Sequence, residues 1–70
     1  MSGLYGMVTS PPDRENDVFE IWSGELQVAE ISREPGGEME IAFYTHTGTL
    51  PVINLAQFER IIAQGRDALA

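Results

Sequence analysis

The chain has no cysteine and no lysine. Without cysteine there is no disulfide and no thiolate metal site. A lone histidine, His46, cannot hold zinc unless a rigid frame gathers carboxylates around it. The basic side chains are Arg14, Arg33, Arg60 and Arg66, set against 11 acids, for a formal charge of −7. Binding through nucleic-acid phosphates needs clustered positive charge, which is lacking, and an anionic membrane is disfavoured for the same reason. A basic protein partner is electrostatically favoured, although a charge of this size also serves solubility in a small domain.

Long apolar runs are missing as well. The uncharged stretch from Ile41 to Gln57 is broken by His46, Pro51, Asn54 and several Thr and Gly positions, so it is no membrane span. No basic segment followed by an apolar run marks the N-terminus as a secretory signal, and a cytoplasmic location is the expectation. Seventy residues make one domain. A chain of this length buries only about 60% of the surface its unfolded form exposes. With disulfides excluded, good packing or self-association must supply the remaining stability.

What is present points to an α+β fold. Residues 1–17 read as a flexible N-terminal tail, because Gly3, Gly6, Ser10, Pro11 and Pro12 interrupt any period and Asp13 to Asp17 is polar. Within it, Leu4 to Val8 is apolar enough to pair as a short strand. Residues 18–70 read as a single domain. Val18 to Trp22 and Leu26 to Ile31 are strands by β-branched and aromatic content. Ser23-Gly24 has the length of a hairpin loop. That loop pairs Ile21 with Leu26 and Phe19 with Val28. It sets Phe19, Ile21, Leu26 and Val28 on a core face and Glu20, Trp22, Glu25 and Gln27 on the other.

Glu38 to Tyr44 alternates strictly and forms a third strand. Joining the core face pairs Val28 with Ile41 and Leu26 with Phe43. Ile31 is then out of step, which a bulge near Ala29-Glu30 would repair. Thr49 to Ile53 reads as a fourth strand, and Pro51 places it at an edge. Asn54 is a helix N-cap with Gln57 three residues on. Ile53 and Phe58 suit a hydrophobic staple. Leu55, Phe58, Ile61, Ile62, Ala68 and Leu69 recur at helical spacing. Gly65 either admits close approach to the sheet or weakens the last turn. The expected architecture is a four-stranded antiparallel meander followed by one C-terminal amphipathic helix on one sheet face.

No catalytic constellation emerges. His46 lies between two threonines with no orienting carboxylate nearby in sequence. No glycine-rich phosphate loop precedes a helix. Glu38 and Glu40 share a strand face, but an open face lacks the apolar wall that would raise one carboxyl pKa. The expectation is a protein that is not an enzyme and needs no cofactor or metal.

Acids are concentrated in the sheet. Val18 to Glu40 carries six glutamates against Arg33, whereas in the helix Glu59 and Asp67 balance Arg60 and Arg66. In the register above, Trp22 and Tyr44 fall on the face away from the helix and flank Glu25. Exposed Trp and Tyr are typical interface anchors. The candidate contact residues are therefore Trp22, Tyr44, Glu20, Glu25 and Glu40. Two functions fit them: a small interaction module of regulator or inhibitor type that binds a protein partner, possibly basic, or a homodimeric accessory subunit with this face buried between protomers. Burial against the tail, or a register shifted by one residue, would explain the same aromatics without an interface.

The glycine turn at Gly48, an apolar strand with Leu50 that ends in Asn54-Leu55, and a helix with Phe58 at its fourth position are similar to the strand-rich unit of PC4-like and PUR-type single-stranded nucleic-acid binders. The resemblance covers little more than a quarter of the chain. It implies a nucleic-acid-associated fold. Those families are basic on the sheet whereas this sheet is acidic, so no binding residue is carried over.

Overall fold

A computed structural model of the chain describes residues 3–45, 48 and 52–70. The elements run β1 (Leu4–Thr9), β2 (Val18–Ser23), β3 (Leu26–Ser32), β4 (Glu40–Phe43) and α1 (Leu55–Ala68). The four strands form one antiparallel meander in the order β1-β2-β3-β4. The helix follows and packs on one face. The α+β class and the meander-plus-helix architecture are those expected.

The strands that make up the meander differ from the expected set. Leu4–Thr9, inside the segment assigned to a tail but containing the Leu4–Val8 stretch read as able to pair, is the first strand and pairs with β2 along its whole length, from Leu4 with Ser23 to Thr9 with Val18. Gly6, which reads as a breaker in sequence, permits this pairing to carry a ring. A Cβ at Gly6 would lie 2.1 Å from Cζ of Phe19, so only a glycine leaves room for that side chain. The boundary after residue 17 therefore falls inside the sheet. Of the expected fourth strand, Thr49, Leu50 and Pro51 lie outside the described residues, and Val52 and Ile53 belong to no strand.

Register also departs from expectation: the hairpin loop lies one residue later, so Trp22 pairs two residues further along β3. Ser23 pairs with Leu26 and Trp22 with Gln27, so the hairpin loop is Gly24-Glu25. Gly24 has φ +62°, the left-handed conformation that a two-residue hairpin loop needs and glycine adopts without strain. Pairing then jumps from Trp22–Gln27 to Ile21–Ala29, leaving Val28 as the extra residue of a bulge. The bulge sits just before the expected place and has the expected effect, since Ile31 is buried opposite Phe19. On the other side β3 pairs Ile31 with Ile41 and Ala29 with Phe43, in place of the expected Val28–Ile41 and Leu26–Phe43. Leu26 is left exposed at the hairpin end.

The core is Phe19, Ile21, Val28, Ala29, Ile31 and Ile61, flanked by half-buried Leu4, Met39, Ile53, Phe58, Ile62 and Leu69. Each fully buried branched or aromatic side chain contributes about 1.5–3 kcal/mol, so a handful must carry most of the stability. The helix begins where its cap dictates, with Asn54 Oδ1 accepting from the Gln57 N–H at 2.9 Å. Gly65 is buried and serves close approach. A Cβ there would lie 2.7 Å from both Ile31 Cδ1 and Phe19 Cδ2. The Phe19 ring thus lies between a glycine of β1 and a glycine of α1. The helix lies over β1 and β2 and leaves Ile41 and Phe43 of β4 partly uncovered.

Candidate interaction surface

On the sheet face opposite the helix, alternation places Tyr5, Met7 and Thr9 of β1, Val18, Glu20 and Trp22 of β2, Gln27, Glu30 and Ser32 of β3, and Glu40 and Ala42 of β4. Tyr5 and Trp22 are direct cross-strand neighbours with ring centroids 6.4 Å apart and planes 14° from parallel. The Tyr5 hydroxyl donates to the Gly24 carbonyl at 3.0 Å, which anchors the pair to the hairpin loop. Trp22 Nε1 donates to Glu20 Oε1 at 3.1 Å, and Thr9 Oγ1 donates to Glu20 Oε2 at 3.1 Å. Both Glu20 oxygens are thereby held in place.

Glu20 stands directly across from Glu30 in the β2–β3 register. Like charges placed so destabilise a sheet unless something compensates. Glu30 is compensated: Arg14 Nη2 lies 2.7 Å from its Oε2, and the Tyr44 hydroxyl donates to its Oε1 at 3.3 Å. Glu30 is also the one buried charged residue among those described, at 8% exposure. The carboxylate holds the Arg14 guanidinium above its ordinary pKa. Tyr44 is likewise pushed up, by loss of solvent first and then by the Glu30 charge. Glu20 has hydrogen-bond donors but no cation at ion-pair distance among the described residues. The paired carboxylates with Arg14 thus keep one formal negative charge in excess, and it lies on the Glu20 side, next to the aromatic pair.

Arg14 reaches Glu30 because residues 10–17 form a strap across the end of β3. The Glu15 and Asn16 N–H groups donate to the Glu34 carboxylate, Asn16 Nδ2 donates to the Arg33 carbonyl, and Ser10 Oγ donates to Asp17. Val18, the first residue after the strap, is fully buried.

Of the residues singled out in sequence, Trp22, Glu20 and Tyr44 come together on this face through the Glu20–Glu30 pair. Glu25 does not join them. It occupies the hairpin loop, exposed, because that loop lies one residue later than expected. Glu40 lies away from Trp22, at the start of β4, beside a shallow depression of about 700 Å³ shared with Arg14, Glu30 and Glu34. Tyr5, Thr9, Arg14 and Glu30 were not singled out. The first three lie in the presumed tail. Glu30 reaches this face only through the bulge, which restores its parity with Glu20. His46, the one histidine considered as a base, lies outside the described residues. No cluster of three or more metal-ligating side chains occurs among the described residues, and no described helix is long and apolar enough to cross a membrane. No family model, curated protein or solved structure matches the chain.

Proposed function

We propose that the chain is a small protein-interaction module whose acidic, aromatic sheet face receives a basic side chain of a protein partner. The observation that supports this is the uncompensated Glu20 carboxylate, held rigid by Trp22 and Thr9 beside the stacked Tyr5–Trp22 pair. A carboxylate next to an aromatic pair is a receptor for arginine. The guanidinium pairs with the carboxylate through its planar fork and stacks on a ring. Because both oxygens and both rings are already positioned, binding costs little ordering entropy. The function is regulatory or inhibitory, by occupancy of a partner's basic surface, and involves no chemistry on the partner.

Two copies joined through this face would bring their excess negative charges together, which disfavours its burial in a homodimer. The same field disfavours a phosphate backbone. The test is titration with an arginine-rich peptide and with a lysine-rich peptide of equal charge, followed by Trp22 emission. Saturable binding, tighter for arginine and weakened at least tenfold by Glu20→Gln, is the expected result. Binding of equal strength to both peptides that Glu20→Gln leaves intact would mean general acid attraction and would remove the proposal.

A further inference from the structure

Beside its core-facing side the helix carries an apolar strip that its own sheet covers only in part: Phe58 and Ile62 are half-buried against the core, and Leu55 and Ala63 are exposed. Ile61 and Gly65 face the core. Leu55, Phe58, Glu59, Ile62, Ala63 and Arg66 line one shallow depression of about 400 Å³ on the helix itself. Their spacings of three and four are those of a continuous strip along a helix. Leu55 is 70% exposed. The strip continues toward β4, where Ile62 and Arg66 also border a cleft with Met39 and Ile41. Phe43 lies 6.1 Å from Phe58, ring to ring, and remains half exposed.

We infer that this strip is the contact through which two copies of the chain associate, with their helices antiparallel. The charges select this occupant. Glu59 and Arg66 lie two turns apart on the strip, about 10 Å along the axis, too far to pair within one helix. Neither forms an ion pair among the described residues. Their midpoint falls between Ile62 and Ala63. In an antiparallel pair centred there, Glu59 of each copy meets Arg66 of the other, making two ion pairs, which is the self-complementarity that a two-fold interface requires. Ala63 at the crossing point lets the backbones approach closely.

The distribution of net charge leads to the same place. The helix is balanced, so the whole excess of −7 lies on the sheet, strap and loops. Two such molecules repel one another least when they approach along α1. The aromatic sheet face, on the far side, stays free.

Sedimentation equilibrium over a concentration series, from low micromolar to millimolar, tests the inference. The wild-type chain is expected to pass from monomer to dimer. Ala63→Arg, at an exposed position with a good helix former, is expected to be monomeric with an unchanged circular dichroism spectrum. Glu59→Arg and Arg66→Glu are each expected to weaken the dimer about tenfold or more, since each places like charges together twice. The double variant Glu59→Arg/Arg66→Glu is expected to recover it, as no intramolecular pairing can. A wild-type chain monomeric throughout, a dimer that Ala63→Arg leaves intact, or a double variant no tighter than the singles would overturn it. None of these variants touches the Glu20 face, so peptide binding by the monomeric Ala63→Arg chain separates this interface from the proposed function.

Discussion

Phe19 shows how single residues decide this fold. Its ring is accommodated by the absence of two side chains, at Gly6 and Gly65. Alanine at Gly65 gains about 1 kcal/mol of helix propensity. Its Cβ, however, meets carbon atoms of Phe19 and Ile31 at 2.7 Å, and overpacking of this kind costs about 1–3 kcal/mol. The expected outcome is net destabilisation, read as a lower urea midpoint. Gly6→Ala should be worse, because its Cβ would overlap the ring tip itself. Combining Gly6→Ala with Phe19→Leu should recover part of the loss. A midpoint at or above wild type for Gly65→Ala would show that the helix can move away at no cost.

Tyr44 offers a second residue-scale prediction. Burial and Glu30 push its pKa above the ordinary 10.0. The unfolded chain therefore loses the phenolic proton first as pH rises past about 10, and between the two pKa values the unfolded state binds fewer protons than the folded one. Stability must fall with pH across that window and be unaffected by this group below it. Tyr44→Phe should flatten the alkaline limb of a stability–pH profile. Glu30→Gln should move the Tyr44 titration, followed by phenolate absorbance, back toward its ordinary value.

At the scale of elements, the parts of the fold legible in sequence are those set by local pattern. The helix start follows from Asn54 and the three- and four-residue spacing of the apolar positions beyond it. Replacing Asn54 by alanine should cost about 1 kcal/mol, seen as loss of helicity in thermal melts before any change in the sheet. The β2–β3 hairpin was legible from alternation and Gly24. Its register was not, because Ser23-Gly24 and Gly24-Glu25 are both acceptable loops and only the backbone conformation of Gly24 distinguishes them. β1 was legible only as an apolar segment able to pair, and its place in the sheet was not, for a different reason. Gly6 looks like a breaker until the ring it admits is known, and that ring lies across the sheet, beyond a polar connection. Half of the interaction face was lost with it, since Tyr5, Thr9 and Arg14 all precede residue 18. The strap carries its own prediction. Arg14→Ala leaves buried Glu30 opposite Glu20 with no cation, so it should destabilise the sheet, and adding Glu30→Gln should restore much of the loss. Equal losses in the single and double variants would mean that Arg14 acts through packing alone.

Over the whole molecule, one thin sheet separates two surfaces of opposite character. One side combines an excess carboxylate with stacked aromatics. The other is a charge-balanced helix with an unfilled apolar strip. If both proposals hold, separate placement would let one small domain hold a copy of itself and a basic partner at the same time, with the field that attracts the partner steering self-association to the helix. Trp22 reports on the distinction directly, as it lies on the sheet face with its N–H bonded to Glu20. Raising protein concentration should double the solution mass while leaving the Trp22 emission maximum where it is. Adding an arginine-rich peptide should change the emission at constant protein mass ratio, and Tyr5→Ala should reduce that change by exposing the indole beforehand. Were the emission instead to shift to the blue in step with dimer formation, the sheet face would be the self-contact, and a basic partner would have to be sought elsewhere on the chain.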